Sequence, residues 1–176
     1  GFGTGFPLIE LKQRFGEKAK VYGLDIWQQG VQRAKSKIAA LEIPDLTLIE
    51  GDARSIPLAN DSVDLVCSNL GINNFEEMHT VLLECRRVLK KGGSLCLTTN
   101  TQETFKELFA VFNSIFTQWN DQESALRLRE YVFRRGTTDS TLEMFQNIGF
   151  HCQKEVQDKT KMRFLSVNSV LWHKLI

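Results

Sequence analysis

The chain has 176 residues, 42% of them apolar, a size and composition that suit one globular domain with a buried core. Its 22 lysines and arginines nearly balance its 21 aspartates and glutamates, so the net charge of +1 gives no general field to attract nucleic acid. No apolar run approaches the roughly 20 residues of a membrane-spanning helix, and the first residues lack a secretion pattern, so we expect a soluble protein without a membrane span.

Helical and strand-like segments alternate along the first hundred residues. The periodicity predicts helices over residues 6–15, 28–41 and 75–89, and strands over residues 20–25, 46–50, 62–68 and 94–99. Pro7 suits a first helical turn, and Gly92 with Gly93 predicts that the third helix ends at Lys91. Because this repetition builds parallel strands, we expect a Rossmann-like, doubly wound α/β sheet that is covered on both faces.

The pattern changes after residue 99. It predicts long helices over residues 102–119 and 122–133 and a further helix over 140–148, followed by strands over 151–156 and 164–173. The two last strands would form an antiparallel hairpin, so the last strand of a complete sheet of seven would be antiparallel. We expect a single domain over residues 1–176, with a helical insertion or lid at about 101–135.

The chain begins with a loop of the kind that joins a strand to a helix. Residues 1–5 read GFGTG, and no strand precedes them. A parallel sheet without its central strand would leave neighbouring backbone groups unpaired in the interior. We therefore expect that the first strand is missing from this chain and that residues upstream supply it.

The glycines of this loop allow a backbone to approach a ligand closely, and the following helix offers free N–H groups to an anion. Dinucleotide oxidoreductases use the spacing GxGxxG, whereas the third glycine here follows the second by two positions. A glycine-rich turn without a ligand is the alternative interpretation. The spacing argues against a nicotinamide cofactor.

Two aspartates follow predicted strands. Asp25 ends a strand, where a carboxylate accepts hydrogen bonds from a ribose diol, although the same residue also suits a helix N-cap. Asp52 follows the next strand, where a carboxylate can accept a hydrogen bond from an adenine amino group, or simply form a turn. Both positions lie at the edge where ligands of α/β sheets gather.

Together these pieces resemble the class I S-adenosylmethionine-dependent methyltransferase family, in particular its small-molecule members such as quinone-biosynthesis C-methyltransferases. The resemblance rests on the segments GFGTG (1–5), GLD (23–25), GDARSIPLANDSVDLVCSNLGINNF (51–75), ECRRVLKKGGSLCLTT (84–99) and FRRGTTDSTLEMFQNIGF (133–150). It implies S-adenosyl-L-methionine as the cofactor and in-line transfer of its methyl group to a small-molecule acceptor.

The resemblance also implies cofactor contacts, residue by residue. The methionine end would lie beside Gly1, Gly3, Thr4 and Gly5. Asp25 would hold the ribose and Ile26 would lie against the adenine, whose edge would meet Asp52 and Ala53. Asn69 and Leu70 would pass beneath the sulfonium.

Candidates for the acceptor site are fewer. Asn73 and Asn74 follow the strand over 62–68 and could contact the substrate, although solvated positions are the alternative. Arg134 and Arg135 could pair with a carboxylate or phosphate of the substrate, although a solvated face is the alternative. No residue stands out as a general base, and His79 is expected on an exposed helix flank. The Phe-rich stripe between residues 105 and 116 is either core or part of a lid.

The four cysteines, Cys67, Cys85, Cys96 and Cys152, form no CxxC pair and have no histidine at ligand spacing, so we expect no metal. Cys67 and Cys96 lie in runs typical of buried strands, which predicts a reducing compartment, the cytoplasm. Two other functions remain open: a non-catalytic binding protein with this fold, and a nicotinamide-dependent oxidoreductase. The acceptor and the oligomeric state are left open.

Overall fold

A computed structural model describes residues 1–171 of the protein. Its first elements are α1 (Phe6–Phe15), β1 (Val21–Asp25), α2 (Gln28–Ala40), β2 (Leu46–Glu50), β3 (Val63–Asn69), α3 (Met78–Val88) and β4 (Leu89–Thr98). Four helices follow, α4 (Lys106–Gln118), α5 (Gln122–Phe133), α6 (Thr138–Ile148) and α7 (Val167–Leu171). Short 3-10 turns lie at Gly16–Lys18 and Gly71–Asn74. The predicted alternation of helices and strands is confirmed.

The described strands form two parallel pairs, β1 with β2 and β3 with β4. Asp25 lies opposite Glu50 in the first pair, and Asn69 lies opposite Thr98 in the second. Parallel pairing brings the carboxyl ends of each pair to one edge, where the predicted site residues lie. The sheet of seven strands and its missing first strand remain predictions.

The predicted terminal hairpin is wrong for the residues that the structure describes. Residues 151–166 form no strand, and Val167–Leu171 is a short helix. Residues 151–163 are exposed and rich in Lys, Glu, Gln and Asp, so they have no continuous apolar face that would fix a strand register. Residues 172 and 173, the end of the predicted second strand, lie outside the described residues.

The third helix ends earlier than predicted. It stops at Val88, and β4 begins at once with Leu89. Along the pairing, β4 advances from Leu89 to Ser94 while β3 advances only from Val63 to Leu65, so the two glycines lie in a bulge rather than at a helix end. Gly92 has a φ of 78°, a conformation that glycine adopts without a Cβ penalty.

The two strand cysteines are not buried as predicted. Cys67 lies directly opposite Cys96 in the parallel pair, and both are exposed on the sheet face that stays open among residues 1–171. The apolar runs therefore identified strands correctly but not the face on which each side chain lies. Cys85 on α3 is buried, and burial raises the pKa of its thiol to about 11.

A core cluster joins α3 to α6. It contains the buried side chains of Leu82, Ile72 and Ile148, and Leu82 is only 1% exposed. Arg86 donates a hydrogen bond from Nη1 to the Ile148 carbonyl at 2.5 Å, which satisfies a carbonyl at the end of α6. The apolar stripe predicted for α3 is thereby confirmed.

Arg87 ties the loop between β2 and β3 to the same helix. Its guanidinium donates to the carbonyls of Ile56 at 2.7 Å and Leu58 at 2.8 Å, and it also binds Glu84. Glu84 accepts in turn from the Ile56 nitrogen at 2.8 Å. These bonds fix a loop that begins at Asp52 and would otherwise have no regular structure to hold it.

Gly149→Ala should destabilise the protein by about 1–2 kcal/mol from backbone strain alone. Gly149 ends α6 with a φ of 93°, and a Cβ there would lie 2.9 Å from Nη1 of Arg86. Displacing Arg86 from the Ile148 carbonyl should add about 1 kcal/mol. Urea unfolding measures the loss.

The control is Gly149→Ala in an Arg86→Ala background, where the φ of 93° still strains the backbone but no guanidinium lies near the new Cβ. The loss there should be the strain alone. Equal losses in the two backgrounds would show that Arg86 moves aside at no cost.

Candidate active site

The glycine loop and the end of β2 both lie against the end of β1. The nitrogen of Gly1 donates to the Leu24 carbonyl at 2.7 Å, and the Gly3 nitrogen donates to Oδ2 of Asp25 at 2.6 Å. From the other side, the Gly51 nitrogen donates to the Asp25 carbonyl at 3.0 Å. Asp25 is therefore the point at which three of the predicted site segments meet.

Gly3 and Gly5 need to be glycine for different reasons. Gly3 has a φ of 56° with nothing within 4 Å of where its Cβ would lie, so open space adjoins the loop there. Gly5 has a φ of 90°, and its Cβ would lie 3.0 Å from Cβ of Ala34 on α2. Thr4 is held by Lys37, whose Nζ donates to the Thr4 carbonyl at 3.0 Å.

Asp25 is buried, with 8% of its surface exposed. Its Oδ1 accepts from the Trp27 nitrogen at 2.8 Å and its Oδ2 accepts from Gly3. Each carboxylate oxygen can accept two hydrogen bonds, so each retains one acceptor site. The N-cap of α2 is Trp27, which makes no side-chain cap bond, so the N-cap alternative for Asp25 is wrong. The adjoining Ile26 is 69% exposed.

The turn after β3 packs against the glycine loop. A Cβ on Gly1 would lie 3.3 Å from Cα of Gly71, and a Cβ on Gly71 would lie 2.9 Å from Oγ of Ser68. Leu70, which directly precedes Gly71, has a φ of 59°. The Ser68 hydroxyl is buried and has no hydrogen-bond partner among the described residues, so a polar atom lies unsatisfied beside the glycine loop.

Two threonines at the end of β4 hold the asparagines that follow β3. Thr98 donates to Oδ1 of Asn69 and Thr99 donates to Oδ1 of Asn73, both at 2.6 Å. With the amide oxygens engaged, the NH₂ groups are the donors that these side chains can offer to a ligand. Asn74 is exposed at the end of its 3-10 turn. The sequence interpretation did not include either threonine.

Asp52 is bound by an arginine that the sequence interpretation missed. Its Oδ1 accepts from the Arg54 nitrogen at 2.8 Å, which closes a turn over Ala53, and its Oδ2 accepts from Nε at 2.9 Å and Nη2 at 2.6 Å. The hydrogen bonds from Arg54 hold the pKa of the Asp52 carboxyl below its ordinary value. The spacing of two residues between Asp52 and Arg54 was the available signal.

Arg134 lies exposed at the end of α5, and its neighbour Arg135 makes the contacts. The Arg135 guanidinium lies over the rings of Phe109 and Tyr131, 5.2 and 4.8 Å from their centroids. It donates to Oη of Tyr131 at 2.8 Å and to the Thr104 carbonyl at 3.1 Å. Arg135 therefore links the end of α5 to the start of α4.

Helices α4 and α5 form an aromatic groove of about 350 Å³. Its lining residues are Phe109, Phe112, Phe116, Ser124, Arg127, Leu128 and Tyr131. Phe109 is buried, but Phe112 and Phe116 are only half-buried and stack with centroids 6.4 Å apart. Incomplete burial favours a lining role over a core role for these two rings.

His79 lies exposed on α3, as predicted. Within residues 1–171 no group of three or more acidic, histidine or cysteine side chains has the arrangement of a metal site. No helix in the same range has both the length and the apolar character to cross a membrane.

Known proteins resemble this chain in sequence. A family model described as a methyltransferase domain matches residues 1–97, more than half of the chain. The demethylmenaquinone methyltransferase of Geobacillus stearothermophilus is 31% identical over 161 residues, which is 84% of this chain and 67% of the relative. The enzyme of that name from Staphylococcus aureus (strain Newman) is 30% identical over 159 residues, covering 84% of this chain and 64% of the relative.

Solved structures resemble this chain in fold. A SAM-dependent methyltransferase from Aquifex aeolicus has a TM-score of 0.56 and 29% identity, over 58% of this chain and 55% of that one. A Bacillus halodurans protein has a TM-score of 0.65 over 87% of this chain and 61% of that one, and its 21% identity bears on the fold alone. The chain thus spans about two thirds of the curated relatives and little over half of the Aquifex structure. The predicted Rossmann-like α/β fold is confirmed.

Proposed function

As the chain belongs to the methyltransferase domain family, we propose that it uses S-adenosyl-L-methionine to methylate a small-molecule acceptor. The observation that carries the proposal is the convergence on one sheet edge of the glycine loop, Asp25 and the loop that begins at Gly51. These are three of the four segments that the resemblance assigns to the cofactor, and all of them lie within the matched residues 1–97. The nicotinamide oxidoreductase and the non-catalytic binding protein receive no support from the relatives.

The residues present fit the cofactor. Asp25 is a buried carboxylate with one acceptor site left on each oxygen, which suits a ribose diol. Open space adjoins Gly3, and the unsatisfied Ser68 hydroxyl lies beside the same loop. The start of α1 adds the positive end of a helix dipole, which suits the carboxylate of a methionine moiety.

When bound, S-adenosylmethionine supplies a methyl group on a sulfonium whose thioether is a good leaving group. The chain's own residues then have to align the acceptor and exclude water. Asn69 and Asn73 are held by the two threonines and can donate their NH₂ groups to an oxygen of the acceptor. Their fixed amides would orient the acceptor, and the proton that leaves a methylated ring carbon would pass to solvent.

For the acceptor we favour an apolar aromatic molecule of the quinone type. The named relatives act on demethylmenaquinone, and the half-buried rings of the aromatic groove offer a surface for a flat apolar ligand. Thr99, which binds Asn73, is followed within a few residues by α4, so the groove and the asparagines start from the same sheet edge. The acceptor would lie between Asn69–Asn74 and this groove.

The proposal extends to the domain organisation, the partners and the cellular location of the protein. A single methyltransferase domain with α4 and α5 as the insertion or lid fits a small-molecule acceptor, and the near-balanced charge gives nucleic acid no general attraction. The four cysteines are free, which suits a reducing compartment, and we place the protein in the cytoplasm.

Calorimetric titration of the full protein with S-adenosylhomocysteine and with NAD tests the proposal. S-adenosylhomocysteine should bind and NAD should not, because the glycine spacing argues against a dinucleotide, whereas Asp25 would suit the ribose of either ligand. A methyl-transfer assay with demethylmenaquinone in its reduced, quinol form follows, because displacement at the sulfonium methyl needs an electron-rich ring carbon. Binding without transfer to any of a panel of small acceptors would favour a binding protein, and binding of NAD alone would overturn the proposal.

A further inference from the structure

Arg54 joins the loop after β2 to the start of α3. Its Nη1 contacts Oε1 of Glu77 at 2.5 Å, and its Nε and Nη2 bind Oδ2 of Asp52. Glu77 is itself fixed by Thr80, whose hydroxyl donates to Oε2 at 3.3 Å. Arg54 thus ties Asp52 to the start of α3, and the planar set of guanidinium donors restricts how the Asp52 carboxylate can turn.

The contacts also distinguish the two oxygens of Asp52. Oδ2 accepts two hydrogen bonds from the Arg54 side chain, whereas Oδ1 accepts one from the Arg54 nitrogen. A carboxylate oxygen accepts about two hydrogen bonds. Oδ1 therefore keeps the acceptor site that a ligand amino group can use.

The ion pair between Arg54 and Asp52 contributes little to folding. The side chains of Arg54 and Asp52 are 43% and 34% exposed, and ion pairs at that exposure contribute about 0–1 kcal/mol to folding. Asp52 also lies directly after Gly51, whose nitrogen donates to the Asp25 carbonyl at the end of β1. An arginine here acts on the geometry of the candidate site more than on the fold.

We propose that Arg54 is a positioning residue that fixes Asp52 with Oδ1 as the acceptor for the 6-amino group of an adenine, and so makes the site selective for 6-aminopurines. The inference rests on the proposed function, because it needs an adenosyl ligand. Without the Arg54 side chain the Asp52 carboxylate would keep only the hydrogen bond from the backbone nitrogen of residue 54 and could turn about it, so its preference for an amino group over a carbonyl would fall.

The test compares S-adenosylhomocysteine with S-inosylhomocysteine, which carries a carbonyl in place of the amino group, by calorimetry on the full protein. The parent should prefer the adenosyl ligand, and Arg54→Ala should reduce that preference about fivefold to tenfold. Arg54→Lys keeps the charge without the fork and should restore only part of it. Arg14→Ala, which removes another arginine–carboxylate pair, with Glu10, should change nothing.

Two readouts separate positioning from a structural role. In an Asp52→Ala background, Arg54→Ala should cause no further loss of preference, because the residue through which it acts is gone. In the unliganded protein, a carbon NMR titration should show the Asp52 pKa rising towards its ordinary value in Arg54→Ala, since the Arg54 hydrogen bonds hold it low. Arg14→Ala should leave it unchanged.

The outcomes are distinct. If the parent binds neither ligand, the proposed function fails and this inference fails with it. If the parent binds both equally, Asp52 does not read the amino group and the inference alone is wrong. If Arg54→Ala keeps the full preference for the adenosyl ligand, Arg54 does not position Asp52. If Arg54→Ala lowers that preference by the same factor with and without Asp52, Arg54 does not act through Asp52.

Discussion

The double variant Phe112→Ala and Phe116→Ala should lower kcat/KM for methyl transfer to demethylmenaquinone by roughly 100-fold, with little change in the affinity for S-adenosylhomocysteine. The two rings line the aromatic groove, stack on each other and are only half-buried. Their removal takes away apolar contact with an acceptor but little of the core. The proposed cofactor contacts all lie before residue 71, outside this segment.

Phe133→Ala is the matched control for the groove. Phe133 ends α5 in the same segment, but it is 76% exposed and does not line the groove. It should leave kcat/KM close to that of the parent. Circular dichroism and urea unfolding establish that the double variant stays folded.

Shortening the segment between residues 105 and 133 is a harsher form of the same test. It should abolish methyl transfer while cofactor binding persists, because the helical insertion would form the acceptor side of the site. The acceptor assignment is wrong if a folded double variant methylates demethylmenaquinone as fast as the parent. It is also wrong if a broad screen finds only a nucleic acid or a protein as acceptor.

Local periodicity was sufficient to predict most helices and strands. The bounds of α1, β2 and α5 agree with the sequence interpretation residue for residue, because each has a clear apolar pattern and an ordinary start or stop signal. The Gly92–Gly93 bulge shows the limit of such signals. Two glycines end a helix or bend a strand equally well, and here the pairing with β3 decided between them.

Burial and pairing were harder to predict, because both depend on segments that are distant in the sequence. The apolar runs around Cys67 and Cys96 identified strands, but exposure depends on what covers each face. The terminal hairpin failed for a related reason. A strand needs a partner edge as well as alternation, and residues 151–163 form no ladder.

The candidate site was also predictable only in part, because strand ends can be read from the sequence but side-chain contacts cannot. The sheet rule placed Asp25, Asp52 and Asn73 just at or after strand ends from sequence alone, since parallel strands bring their carboxyl ends to one edge. Thr98 and Thr99 became visible only in three dimensions, and so did the contact of Arg54 with Glu77. Each acts through a side-chain bond whose specificity depends on a rotamer and a neighbour, and hydrophobic periodicity carries no information about either.

Asp25→Ala should weaken binding of S-adenosylhomocysteine by about 1–3 kcal/mol, or about 5- to 150-fold. The variant removes a buried carboxylate whose remaining acceptor sites suit the ribose diol. It also leaves the nitrogens of Gly3 and Trp27 without their acceptor, so some loss of stability is expected. Calorimetry below the unfolding transition, with circular dichroism on the same sample, separates the two effects.

A ligand lacking a ribose hydroxyl tests whether Asp25 acts through the ribose. The 2′-deoxy analogue of S-adenosylhomocysteine should bind the parent more weakly than the ribose form, while Asp25→Ala should bind both ligands almost equally, because the acceptor is already gone. Asp121→Ala is the matched control. Asp121 also accepts from a backbone nitrogen, that of Ser124 at 3.0 Å, but caps α5 outside the proposed cofactor contacts. If the folded Asp25→Ala variant still prefers the ribose form as strongly as the parent, the ribose is held by another group and Asp25 only orders the glycine loop.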